Sequence, residues 1–393
     1  MQNFDVIIVG GGAAALACAL TLKREDKTLS VAICEKGDRL GRKLAATGNG
    51  QGNISNADLS GSHYHGSLAP LCAQLIESGG YDIKSLFDCL FAEDKSGRIY
   101  PAGKQASALS DCLIREIEKA GVVTMLNAEV TGISQGFTLT LADGCKLDAK
   151  RVVFALGGKA QKQFGTDGKS YSLAHSMGHS TTFLYPAIVQ LKCETQHIKT
   201  LKGIRAECRV RAFDSDKKQL CETLGDVIFT DYGVSGNAVF YCSSYVAEKE
   251  GAYLSLEFIP AFSEEEVERN VRLKGERGYP YQELLSGTLH NQIGRAVIRR
   301  CNSSDAKIIA HAVKNFTLPV VGSLGFDYAQ VTRGGIPASE IDEHLQSRKV
   351  SGLYIVGEAA DVDGDCGGYN LTWAFVSGMH AAKSIVNSIN CYD

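Results

Sequence analysis

Gly10-Gly11-Gly12-Ala13-Ala14-Ala15 lies between the apolar run 4–9 and a stretch, 13–22, rich in small apolar residues. A G-x-G-x-x-A spacing at a strand-to-helix turn suits a diphosphate. Gly10 permits the tight turn, Gly12 lets backbone approach the phosphates, and Ala15 keeps helix and strand close. Amides of the first helical turn then face the anion. Glu35 follows Gly12 by 23 positions, at the end of the apolar run 30–34. A carboxylate there accepts from two ribose hydroxyls and repels a 2′-phosphate. Gly41-Arg42-Lys43 comes next, followed by Thr47-Gly48-Asn49-Gly50-Gln51-Gly52-Asn53. Two cations just past the ribose-binding strand can neutralise a pyrophosphate, and the Gly/Asn loop offers backbone donors and short amides to a flat ring such as a flavin. Ala155-Leu156-Gly157-Gly158 closes another apolar run and lets chain pass near a nucleotide. Gly357-Glu358 precedes Asp361-Val362-Asp363-Gly364-Asp365-Cys366-Gly367-Gly368-Tyr369-Asn370, which leads into the last helical stretch. The positive end of that helix, aimed at the N1/C2=O edge of a flavin, would stabilise the reduced ring.

Other chemically suggestive residues have plainer readings. The three aspartates at 361, 363 and 365 lack the distant Glu of an EF-hand loop, so no metal is expected. Cys366 has no cysteine near it in sequence and reads as a small packing residue. His63 and His65 read as solvated loop histidines. Arg333-Gly334-Gly335 reads equally as a turn or as a carboxylate or flavin contact. Glu264-Glu265-Glu266 reads as a solvated helix N-terminus.

The elements that must position these groups follow from periodicity. Runs 4–9 and 30–34 flank a helix over 13–22, the start of a doubly wound sheet. Residues 41–66 form a long polar loop of the kind that carries function. A helix is expected over 106–120, a strand over 122–126, a meander over 129–147 and a buried strand over 151–155. From about residue 188 alternating strands appear, among them 187–192 and 206–213, then a broken helical stretch over 263–315. A strand over 352–356 and a helix over 371–389 close the chain. The 393 residues carry a net charge of -3, which provides no global field for nucleic acid or anionic membrane. Thirteen scattered cysteines without a C-x-x-C pair argue against a disulfide scaffold or a dithiol centre, and for reduced thiols in the cytoplasm. No run of 18 apolar residues marks a membrane span.

The stretches 41–56 (GRKLAATGNGQGNISN), 229–236 (FTDYGVSG) and 352–378 (GLYIVGEAADVDGDCGGYNLTWAFVSG), supported by 99–107 and 152–160, resemble the bacterial NAD(P)/FAD-dependent oxidoreductase family that includes aminoacetone oxidase and the YhiN/BaiN-like flavoproteins. The resemblance extends over essentially the whole chain. It implies an α/β fold: a Rossmann-type FAD-binding domain (1–187 and 331–393) with an inserted β-barrel-like part (188–262 and 316–330) and a small helical part (263–315). It implies non-covalent FAD, with Gly10, Gly12, Ala15, Glu35 and Lys36 on the ADP half and the Val130 backbone on adenine. Arg42, Lys43, Gly48, Asn49, Gly50, Asn53 and Gly157 fall along the pyrophosphate and flavin. Gly357, Glu358, Asp363, Gly368, Tyr369, Asn370 and Leu371 surround the ribityl chain and ring. Where many relatives carry Arg-Cys, this chain has Gln51-Gly52, so a mechanism needing that charge and thiol is in doubt here.

The expected activity is hydride transfer between a small organic substrate and flavin N5. An amine oxidase of the aminoacetone type, passing electrons to oxygen, is the first form. A reductase drawing hydride from transiently bound NAD(P)H to an unsaturated or carbonyl substrate is the alternative, and a flavin-loaded binding or sensor protein is the third. No catalytic acid or base stands out, and neither a membrane nor a nucleic-acid partner is expected.

Overall fold

The computed structural model describes residues 2–390. The chain divides into two compact units, Met1–Tyr185 with Val331–Asp393, and Pro186–Gln330. Among the described residues, no helix is long and apolar enough to cross a membrane.

The first unit is built on a parallel sheet. The opening strand (Gln2–Val9) pairs in parallel with Val31–Cys34 on one side and with Lys146–Phe154 on the other. Val123–Met125 adds outside the former and Leu353–Ile355 beside the latter, both parallel. The last four residues of the opening strand are buried, as parallel strands covered on both faces must be. Between the first two strands runs the opening helix (Ala13–Glu25), buried continuously from Ala14 to Leu22. The closing helix (Tyr369–Asn390) packs against it. Gly378 permits this, because a Cβ there would lie 2.3 Å from the Ala14 carbonyl oxygen. Trp373 and Phe375 of the closing helix are buried in the same core.

Two expectations about this unit change. The pieces 146–147 and 151–155 belong to one continuous strand, Lys146–Phe154. Its start pairs antiparallel with Thr138–Leu141 and alternates in burial, while its last three residues, Val152 to Phe154, are parallel to Leu353–Ile355 and buried. The change of pattern along one strand made it read as two. The closing helix begins at Tyr369 rather than at 371, which puts Tyr369, Asn370 and Leu371 in its first turn.

The second unit is a closed six-stranded barrel, in the order Leu191–Cys193, Gly233–Ser235, Gln219–Phe229, Arg205–Phe213, Tyr253–Glu257 and Phe316–Ser323. Burial alternates along Arg205–Phe213, as a strand with one face inside a barrel requires. The stretch expected as one strand over 187–192 is broken at Ile188, whose φ of 52° lies in the left-handed region. Three helices, Glu264–Glu276, Asn291–Cys301 and Ala306–Lys314, fill the connection before the last barrel strand. The first opens with a capping box. Ser263 Oγ accepts from Glu266 N at 3.2 Å, and Glu266 Oε2 accepts from Ser263 N at 2.7 Å. Glu266 therefore has a specific partner besides the helix dipole. Cys221 and Cys242, 21 residues apart in sequence, meet in this unit with buried sulfurs at 3.6 Å, well beyond a disulfide bond.

Candidate functional site

The turn after the opening strand is shaped by backbone alone. Gly10 has φ 103°, and a Cβ there would sit 2.3 Å from the carbonyl oxygen of Ala155, so no other residue fits. Gly12 caps the opening helix without any side-chain hydrogen bond, and the space over its Cα is open. The amides of that helical turn are thus presented bare, with the positive end of the helix dipole behind them. Ala15 is fully buried against the sheet. Glu35 Oε2 accepts from Gly11 N at 2.6 Å and Oε1 from Gly37 N at 2.7 Å. The carboxylate is therefore oriented by two amides, and each oxygen keeps a lone pair for another donor. Lys36 Nζ lies 3.3 Å from Asp167. Val130 is buried in the strand Val130–Ile133.

The cationic loop is tied to the glycine pair at 157–158 through Glu358. Arg42 Nη2 donates to the Gln163 carbonyl at 2.8 Å. Lys43 Nζ donates to Glu358 Oε2 at 2.9 Å, and Glu358 Oε1 accepts from Thr332 N at 2.8 Å. Thr332 Oγ1 in turn accepts from the amides of Lys159 and Ala160, at 2.7 and 3.0 Å. Gly158 must be bare, since a Cβ would meet Thr332 and Glu358 at 2.4 and 2.5 Å. Gly48, Asn49, Gly50 and Gly52 all have positive φ, so this loop turns its amides in a way few sequences allow. The Asn53 Oδ1 atom is buried with no hydrogen-bond partner. Buried polar atoms are seldom left unpaired, so an orphan there points to a donor outside the chain. Gly52 has φ 82°, and a Cβ at that position would meet Pro101 and Ala106 at 3.1 and 3.2 Å.

The closing segment is different in kind. Gly357 N donates to Ser377 Oγ at 2.9 Å, and its carbonyl accepts from Trp373 Nε1 at 3.1 Å. The three aspartates each have their own partner. Asp361 Oδ2 accepts from Ser67 N at 3.0 Å. Asp363, 1 % exposed, receives Arg333 through Nε at 3.1 Å and Nη2 at 2.9 Å. The turn at 333–335 thus delivers a fork-shaped ion pair to Asp363. Asp365 receives His63 Nδ1 at 3.0 Å and His65 Nε2 at 2.9 Å. His63 Nε2 is also 3.0 Å from Asp58 Oδ2. The reading of His63 and His65 as solvated loop side chains is corrected here: both are tied to a buried carboxylate 300 residues or more away. No local pattern could signal this. The signal available was that two histidines and an aspartate each sat on an aperiodic polar segment.

Gly368, with φ 107°, lies so close to Ser55 that a Cβ would be 2.4 Å from the Ser55 carbonyl oxygen. Tyr369 is buried and stacks on the His63 ring at 4.2 Å. Burial, with the charges of Asp58 and Asp365, pushes its phenol up to about 12. Asn370 is spent locally, its Oδ1 accepting from Gly364 N at 2.9 Å and its Nδ2 donating to Gly364 O at 2.7 Å. Leu371 is partly buried in the same turn. Burial lowers the pKa of His63, but the hydrogen bonds and charges of Asp365 and Asp58 overcome that and leave it raised above its ordinary value. Asp58 is lowered to about 2 by its bond to His63. Burial pushes the Cys366 thiol up, which keeps it protonated and a poor nucleophile.

Bare helix amides, a braced carboxylate at the second strand, a left-handed glycine loop and an orphaned amide oxygen together fit a dinucleotide with a planar ring. A model of the HI0933-like protein Rossmann domain matches residues 4–384. A 3-dehydro-bile acid delta(4,6)-reductase of Clostridium scindens is 33% identical over 402 residues, covering 96% of this chain and 98% of the relative. A ribosomal RNA dihydrouridine synthase of Escherichia coli is 25% identical over 411 residues, covering 98% and 99%. Among solved structures, 3-ketosteroid-delta4-(5alpha)-dehydrogenase from Rhodococcus jostii shares the fold at a TM-score of 0.52 and 16% identity, covering 98% of this chain and 97% of that one.

Proposed function

The chain belongs to the HI0933-like Rossmann-domain family and is an FAD-dependent oxidoreductase, and we propose that it reduces a carbon–carbon double bond conjugated to a carbonyl in a small organic substrate. The observation that carries this is the 33% identity, along nearly the whole of both chains, to a reductase of unsaturated 3-oxo bile acids. The more distant relative supports the same chemistry, since dihydrouridine is a uracil ring whose double bond, conjugated to a carbonyl, has been saturated.

FAD, when bound, supplies two-electron hydride chemistry at flavin N5. The chain's part is to hold, orient and tune. Gly10 and Gly12 shape the turn and Ala15 seats the helix whose first-turn amides meet the diphosphate, and Glu35, braced by Gly11 and Gly37, accepts from ribose. Lys36 and the Val130 backbone flank the adenosine side. Arg42 keeps further guanidinium donors for phosphate after its bond to Gln163, while Lys43 acts with Glu358 as a neutral pair. Gly48, Asn49, Gly50, Asn53 and Gly157 line the path from pyrophosphate to ring, Asn53 with its unpaired oxygen toward a ring or ribityl donor. Gly357, Gly368, Asn370 and Leu371 border the ring, with Tyr369 behind them. Asp363 serves as the anchor of Arg333 and brings no loose negative charge to a ring that becomes anionic on reduction.

The test is anaerobic. Protein reduced with dithionite is mixed with 4-androstene-3,17-dione or with uridine in RNA, and return of the yellow colour is followed. Reoxidation by the steroid supports the proposal, and reoxidation by RNA alone moves the substrate to a nucleic acid. Oxidised protein is separately mixed with aminoacetone and with NADPH. Bleaching by aminoacetone, with silence toward both enones, would replace the proposal with the amine oxidase expected from the first resemblance. Bleaching by NADPH identifies the nicotinamide as electron donor.

A further inference from the structure

Saturating a conjugated double bond adds a hydride and a proton. The hydride forms a C–H bond at the β-carbon, the C=C π pair shifts onto the carbonyl oxygen, and the resulting enolate takes a proton at the α-carbon as the carbonyl re-forms. A reduced flavin provides the first of these hydrogens. The second needs a group in this chain that is loaded at neutral pH, reachable from solvent and close to the closing segment.

The geometry points to the Asp58–His63–Asp365–His65 chain as the proton reservoir for this reaction, with His63 as the group that gives up the proton. This rests on the enone-reductase reading above. Both ring nitrogens of His63 face carboxylate oxygens at 3.0 Å. Carboxylates accept, so this geometry favours a hydrogen on both ring nitrogens, the imidazolium form. Asp365, 5 % exposed, receives His65 on its other oxygen at 2.9 Å, which fixes the carboxylate plane. The imidazolium stacks on Tyr369, the first residue of the closing helix. Its side chain is 25% exposed, so water can recharge it. Among the described residues, the cluster also faces the Tyr369 phenol, which stays protonated, the Cys366 thiol, which feels Asp365, and Arg98, whose charge acts on both. His179, which lies outside the cluster and is also paired with a carboxylate, has a side chain with no exposure and is bonded to Glu340 and Ser347. It cannot exchange protons readily. The raised pKa of His63 is the expected companion of this geometry. After proton transfer, neutral His63 keeps a hydrogen bond to only one of its two carboxylates, and the unpaired carboxylate draws the next proton from water.

The experiment couples two readouts on FAD-loaded protein. Imidazole signals are titrated by NMR in the wild type and in Asp58→Asn, a change at an exposed carboxylate that leaves the core intact. In parallel, the pH dependence of flavin reoxidation by 4-androstene-3,17-dione is measured after dithionite reduction. We expect the His63 midpoint to fall by about one unit in Asp58→Asn, with the alkaline limb of reoxidation falling with it. His63→Gln should slow reoxidation about 100-fold while its FAD content stays that of the wild type. A His63 midpoint that moves while the alkaline limb stays in place overturns the reservoir and leaves the enone reading standing, as does unchanged reoxidation in His63→Gln. Failure of the wild type to be reoxidised by the enone removes both together.

Discussion

The two ends of the FAD-binding unit do similar jobs by opposite means. The opening turn, Gly10 to Ala15, has almost no side chains and works through backbone amides and absent Cβ atoms. The closing segment, Asp361 to Asn370, works through side chains, each paired with a group far away in sequence: Asp361 with Ser67, Asp363 with Arg333, Asp365 with His63 and His65. The contrast agrees with the cofactor placement proposed above: a rigid local turn suits a diphosphate, and neighbours with balanced charges suit a ring that changes charge.

The sharpest way to break the contrast is at Gly10. Gly10→Ala puts a methyl 2.3 Å from the Ala155 carbonyl oxygen at a φ of 103°, so a loss of about 3 kcal/mol or more is expected. A lower urea midpoint and loss of visible flavin absorbance would register it. The closing segment should respond to pH as well as to mutation. Asp365→Asn should cost about 2 kcal/mol, a figure moderated because His63 is partly exposed. A histidine whose folded pKa is raised contributes fully below its unfolded value near 6.5, and the contribution fades as pH rises through the folded value. The difference in urea stability between wild type and variant should therefore be largest near pH 6 and shrink in alkali. On the acid side the Asp58 bond contributes above the ordinary aspartate value of 3.8 and is lost as pH falls toward about 2. A gap that does not change with pH would mean His63 is neutral.

A smaller effect is expected at Glu35. Glu35→Gln keeps one acceptor for the Gly11 and Gly37 amides but loses the charged acceptor for ribose. FAD binding should weaken by no more than about tenfold, as read by equilibrium dialysis of the folded variant. The smallest is a control in the barrel unit. Ser263→Ala removes a cap and should cost about 1 kcal/mol with no change in flavin content.

The same contrast explains what could be seen from residues alone. Gly10, Gly12, Ala15 and Glu35 were legible because strand, turn, helix and second strand follow one another within 35 residues. The barrel strand Arg205–Phe213 was legible by its alternation, and the left-handed loop by its glycines. His63, His65 and Asp365 were not, because their pairing spans 300 residues or more and leaves no periodicity. Arg333 could be read as a turn or as a ligand, and only the fold brings Asp363 to its fork. The meeting of Cys221 and Cys242 escaped a search for short cysteine spacing for the same reason. The extra two residues of the closing helix were hidden by Gly367 and Gly368, which look like a loop yet lead directly into its first turn.

The contact between Gly378 and Ala14 has a consequence for how the protein is made. The helix behind the diphosphate turn is backed by a helix synthesised some 350 residues later. While the chain is still on the ribosome, the first helix has an apolar flank with nothing against it. Flavin capture should therefore wait for the last helix to dock, and premature termination after the opening unit but before that helix would release a chain that carries its nucleotide motif without the helix that backs it.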